Sequence, residues 1–88
     1  MIMYKLLVEK KPNNDNKIVV RVRGVIEPTI DLDGDYDYRY FDSRPKLLDY
    51  IRNIVIPIAN KKHNGIFLIG EGKLPEDVLK GLEGIVNG

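Results

Sequence analysis

The chain has no cysteine and no glutamine, and only one histidine, one serine and one threonine. Lack of cysteine excludes disulfides, thiolate zinc sites and a cysteine nucleophile. His63, Ser43 and Thr29 leave few parts for a Ser-His-Asp arrangement. Each has a simpler reading: Ser43 as a helix N-cap, His63 as a helix-end residue beside Lys61 and Lys62. The expectation is therefore a protein that is not an enzyme. Charge of one sign is missing too. Fourteen basic residues against thirteen acidic ones leave a net charge of +1, so the global field favours neither nucleic acid nor an anionic membrane. No apolar run approaches the roughly 20 residues of a membrane span, and the first residues carry no signal-peptide pattern. A cytoplasmic location with no membrane partner is expected. Few thermolabile residues among many charges suggest a thermophilic source, a reading against which seven asparagines count.

What is abundant is isoleucine, with eleven residues, and an acidic, tyrosine-rich run from Ile30 to Asp42. Five of the eight aspartates and three of the five tyrosines fall within it. Asp31, Asp33, Asp35 and Asp37 repeat every second residue, the side-chain period of an extended strand.

Along the chain, Met1–Lys10 alternates as a half-buried strand, and Lys11–Asn16 is a turn-rich loop. Lys17–Ile26 is a second strand with Ile18, Val20, Val22 and Ile26 on one face and Gly24 as a bulge or close-approach point. Asp33-Gly34 is a two-residue hairpin signal, which makes Asp35–Phe41 a strand returning beside the second. Ser43-Arg44-Pro45 starts a helix. Its apolar stripe is Leu47, Leu48, Ile51, Ile54, Val55, Ile58 and Ala59, with Pro57 forcing a kink or early end and Gly65 a stop. Gly65–Gly70 is an uninterrupted apolar run, read as a central strand covered on both sides. A last helix opens at Pro75-Glu76-Asp77 and buries Val78, Leu79, Leu82, Ile85 and Val86, although Gly81 and Gly84 weaken it. Residues 1–88 thus form a single α+β domain. Its order is β-β-β-α-β-α, a two-layer sandwich with a mixed sheet of about four strands and two helices on one face.

Three readings compete for the surface. In the first, the tyrosines and aspartates of the hairpin form a protein-contact surface of Asp35, Tyr36, Asp37, Tyr38, Arg39 and Tyr40. Rigid amphipathic rings within a charged rim suit an interface. The partner would be a basic protein, or a second copy of the chain. Phosphates and aspartates repel, which excludes bare nucleic acid from this run. The bland counterpart is a charged edge strand kept from aggregating by Asp35 and Asp37.

The second reading is nucleic-acid binding through Lys5, Arg21 and Arg23 on one sheet face with tyrosines nearby, although Glu9 shares that face and no RNP-type motif is present. In the third, Asp31, Asp33, Asp35 and Asp42 resemble an EF-hand calcium loop at its first, third, fifth and twelfth positions. That resemblance implies calcium or magnesium. Tyr36 stands where the loop has glycine, Asp42 replaces a longer glutamate, and the segment with Pro28 reads as a strand instead of a helix. The expectation is no cofactor, with a divalent cation as the alternative. Gly70-Glu71-Gly72-Lys73 lacks the residues of a phosphate loop and reads as a turn.

Overall fold

Alternating apolar and charged residues build the sheet, and two helical segments supply its other layer. The computed structural model describes residues 2–26 and 34–87. Strand β1 (Met3–Glu9) pairs antiparallel with β2 (Ile18–Val25) from Met3↔Val25 to Val8↔Val20. The loop between them is held by Asn13, whose Oδ1 accepts from the amides of Asp15 at 3.0 Å and Lys17 at 2.9 Å. Asn16 takes a φ of 58°, a left-handed conformation that asparagine tolerates. Gly24 pairs with Tyr4 without a bulge; the Lys73 carbonyl lies 3.6 Å from where its Cβ would stand.

Strand β3 (Tyr36–Phe41) pairs antiparallel with β1, from Tyr4↔Phe41 to Glu9↔Tyr36. This overturns the expected hairpin. Both β2 and β3 run antiparallel to β1 and therefore run in the same direction, which a two-residue turn cannot connect. Strand β4 (Ile66–Glu71) pairs parallel with β2, giving the order β3-β1-β2-β4. The apolar run expected at the centre is thus an edge strand, and its Phe67 is 47% exposed.

Residues 44–62 form one helical stretch of three parts: α1 (Arg44–Tyr50), a π-helical turn (Ile51–Val55) and α2 (Ile56–Lys62). Ser43 caps it, its Oγ accepting from the Lys46 amide at 3.4 Å. Pro57 neither ends nor sharply breaks the stretch. It lies in the first turn of α2, immediately after the π turn, where the Ile56 amide bonds the Ile51 carbonyl. The wider turn removes the conflict between the proline ring and the carbonyl four residues earlier. It also divides the expected apolar stripe. Leu47, Leu48, Ile51, Val55 and Ala59 are buried, whereas Ile54 and Ile58 are 44% and 61% exposed.

The second segment, α3 (Glu76–Asn87), buries Val78 and Leu82, but Leu79 lies at the rim, against Gly70 of β4. The side chain of Val86 lies outside the described residues. The core brings Leu6, Val20 and Val22 of the sheet against Leu47, Leu48, Ile51, Val55, Val78 and Leu82. Both helical segments therefore cover the same sheet face, and the α+β two-layer sandwich of order β-β-β-α-β-α is the observed architecture. Ile26, expected on the core side, lies beyond the end of β2 and is exposed. Among the described residues, no helix is long and apolar enough to cross a membrane.

Candidate functional site

With the helices on one side, strand parity decides what the other face carries. Lys5, Leu7 and Glu9 point there from β1, and Val19, Arg21 and Arg23 from β2. Tyr36, Tyr38 and Tyr40 come from β3, with Phe67, Ile69 and Glu71 from β4. The ladder arranges them in rows. Tyr40, Lys5, Arg23 and Glu71 face one another across the four strands, and Tyr38, Leu7, Arg21 and Ile69 form the next row.

Arg21 stands opposite two apolar residues, so its long arm reaches diagonally to carboxylates two positions away. Its Nη1 donates to Glu71 Oε1 at 2.7 Å, and its Nη2 donates to Glu9 Oε1 at 3.3 Å. Arg23 Nη2 lies 2.7 Å from Glu71 Oε2, so Glu71 holds one guanidinium on each oxygen. Tyr36 donates its hydroxyl to Glu9 Oε1 at 3.3 Å. The hydrogen bond from Arg21, helped by the charge of Arg23, holds the Glu71 carboxyl below the usual carboxylate range. The same bond from Glu71 raises Arg21 above its ordinary value.

At the β3 side of this face, Lys5 is only 5% exposed, and its Nζ lies 5.2 Å from the Tyr38 ring centre and 5.6 Å from that of Tyr40. The two rings meet edge to face at 5.7 Å. Each contact uses the negative face of an aromatic ring against a positive group. Tyr38 remains 38% exposed.

The expected site residues therefore separate. Lys5, Arg21 and Arg23 do share one face, which no described helix covers. They are not free cations for a phosphate backbone: Glu71 holds both arginines and two tyrosines hold Lys5. The proposed contact set divides between the two sides of β3. Tyr36, Tyr38 and Tyr40 project to the helix-free face, while Asp37 and Arg39 project to the helix side, where Arg39 stacks on Tyr50 at 5.0 Å. Asp35 immediately precedes the strand.

Length divides the expected cation-binding set. Asp35 and Asp42 stand at opposite ends of β3, roughly 20 Å apart at the rise of an extended strand, so one ion cannot take both. Lys46 Nζ already lies 3.0 Å from Asp42 Oδ1 and lowers its pKa. Asp31 and Asp33 lie outside the described residues, and among those described no group of acidic or histidine side chains is arranged to hold a metal.

The chain matches no family model, no curated protein and no solved structure.

Of the groups suited to nucleophilic chemistry, Thr29 lies outside the described residues, and Ser43 and His63 are apart and structurally engaged. Ser43 and His63 flank opposite ends of the 44–62 helical stretch, roughly 30 Å of helix. His63 Nδ1 lies 2.9 Å from Asn16 Oδ1, tying the helix end to the β1–β2 loop. Glu71 is the residue that sequence reasoning passed over. Its signal was parity, since Phe67, Ile69 and Glu71 alternate with the core-side Ile66, Leu68 and Gly70.

Proposed function

We propose that this chain is a small non-catalytic interaction protein that takes a protein partner along β3 and its tyrosine row. One observation carries the reading: β3 is an edge strand whose three tyrosines share one side, next to a face that no described helix covers. An edge strand offers backbone donors and acceptors to an added strand, while tyrosines supply large, rigid contact area. Asp37, exposed on the other side of the strand, asks for a cation on the partner. The paired charges of the Glu9, Arg21, Arg23 and Glu71 network favour this reading over nucleic acid, because phosphate binding requires cations available to replace counterions.

The test is site-specific photo-crosslinking in the cells that make the protein, with benzoylphenylalanine in place of Tyr38 and, as control, of Lys80 on exposed α3. A discrete adduct from position 38 and none from position 80 is expected. No adduct from position 38 refutes the reading.

A further inference from the structure

We propose that the partner of β3 is a second copy of this chain, joined edge to edge and antiparallel, with Tyr38 opposite Tyr38 of the other copy. This inference rests on the reading of β3 as the contact strand and supplies the partner it lacks.

The backbone limits the choice of register first. The Lys10 amide donates to the Asp35 carbonyl at 3.0 Å, so the backbone groups of Asp35 face β1. Groups on a strand alternate sides, so those of Asp37, Arg39 and Phe41 also face β1, and those of Tyr36, Tyr38 and Tyr40 face outward. An added antiparallel copy of β3 must bond through its own Tyr36, Tyr38 and Tyr40. Registers shifted by an odd number of residues would set outward groups against inward ones and send each side chain to the wrong face.

Charge then selects among the remaining registers. With Tyr38 on the two-fold axis, Asp37 stands opposite Arg39 of the other copy, and the symmetry repeats the pair. Tyr36 then stands opposite Tyr40, so six tyrosines line one side. The next even register in one direction sets Asp37 against Asp37, and the next in the other sets Arg39 against Arg39. Like charges directly opposite are destabilising, so of these three registers only the one centred on Tyr38 sets Asp37 and Arg39 against opposite charges with no like-charge pair. Asp37 and Arg39 sit in the non-hydrogen-bonded position of that pairing, where side chains approach most closely.

The resulting two-fold axis stands perpendicular to the sheet and keeps both helical layers on one side of a continuous eight-stranded sheet. Ile54 and Ile58, exposed along a groove that Asp37 and Tyr50 also line, add apolar surface beside the same edge. Charges on an edge strand ordinarily prevent pairing with other chains. Two opposite charges two residues apart on one side of the strand do so in the two registers next to the Tyr38-centred one and favour pairing in that one.

Light scattering and sedimentation of the full chain test the proposal. The wild type is expected at twice its 10.1 kDa mass at millimolar concentration. Asp37→Arg and Arg39→Asp each turn both symmetry-related pairs repulsive and weaken association about thirty-fold. The double variant D37R/R39D exchanges the partners and returns to within about threefold of wild type, since each opposite-charge pair re-forms. A monomeric wild type, single variants without effect, or a double variant that fails to recover would overturn self-pairing. A monomer that still gives a discrete adduct with a different protein from position 38 refutes only the identity of the partner. A monomer with no adduct refutes both readings.

Discussion

Replacing Glu71 by glutamine removes the charge that organises the helix-free sheet face while keeping the shape of the side chain. In the wild type, its two oxygens receive Arg21 and Arg23, each at 2.7 Å, and the Glu71 side chain is only 28% exposed. Hydrogen bonds to charged groups contribute roughly 1.5–3 kcal/mol when sheltered, whereas exposed pairs contribute about 0.2–1 kcal/mol. The Arg21 arm is the more sheltered, at 29% exposure against 43% for Arg23, so water screens the second pair more. Together they put the loss for Glu71→Gln at about 1–2 kcal/mol at neutral pH. For a domain of this size, that lowers the melting temperature by about 5–15 °C.

The pH dependence separates this electrostatic loss from a packing defect. Arginine lowers the Glu71 pKa in the folded state. The contribution is therefore fully present above the unfolded-state value of roughly 4.3. It disappears as pH falls through the lower folded-state value, where the carboxyl takes up its proton. Urea unfolding of wild type and variant at pH 7, and again well below that range, should show a gap that closes in acid. Glu83→Gln, on the exposed side of α3, is the control and should show little gap at pH 7. A deficit under about 0.3 kcal/mol at pH 7, or an equal deficit at both pH values, would refute the electrostatic account.

The two glycines of α3 should respond oppositely to alanine. At Gly84 a new Cβ meets nothing within 4 Å, so Gly84→Ala gains about 0.5–1 kcal/mol of helix propensity, readable as a higher urea midpoint. At Gly81 the new Cβ would stand 2.7 Å from Leu48 Cδ1 in the core, so overpacking offsets that gain and Gly81→Ala shows no increase or a loss. Excess calcium against excess chelator should leave the melting temperature unchanged, because Asp35 and Asp42 stand at opposite ends of β3; a rise of several degrees with calcium would contradict that.

What the sequence made legible was local. Alternation set the side-chain faces of Met3–Glu9 and Ile18–Val25, and Ser43-Arg44-Pro45 marked the helix start that is observed. The expected strand Asp35–Phe41 is observed as Tyr36–Phe41, although the partner expected for it was wrong. Which strand lies beside which is a non-local property. The pairing of Tyr36–Phe41 with β1 instead of β2 follows from the whole sheet and not from the turn signal at Asp33-Gly34. A six-residue apolar run such as Gly65–Gly70 buries one side well at an edge or at the centre, so hydropathy alone misplaced it. The exposure of Ile54 and Ile58 depended on the π turn, which helical periodicity does not anticipate.

The same division between local and non-local information governs the site. The tyrosine row is a parity feature and could be read from the chain. The grip of Glu71 on Arg21 and Arg23 requires the parallel register Arg21↔Ile69 and Arg23↔Glu71, which joins strands more than forty residues apart. That register changes the meaning of the basic face. Lys5, Arg21 and Arg23 look like three available cations along the chain, but in the fold carboxylates or aromatic rings engage each of them. Charge that is already paired contributes to holding the sheet face together, and only charge still exposed can select a partner. On β3, Asp37 and Arg39 remain exposed, Arg39 with its guanidinium over the Tyr50 ring; they are opposite in sign and separated by one strand repeat on the helix side. An edge strand with that pattern distinguishes one antiparallel register of itself from its neighbours, which is why the reciprocal exchange of those two residues is the decisive variant.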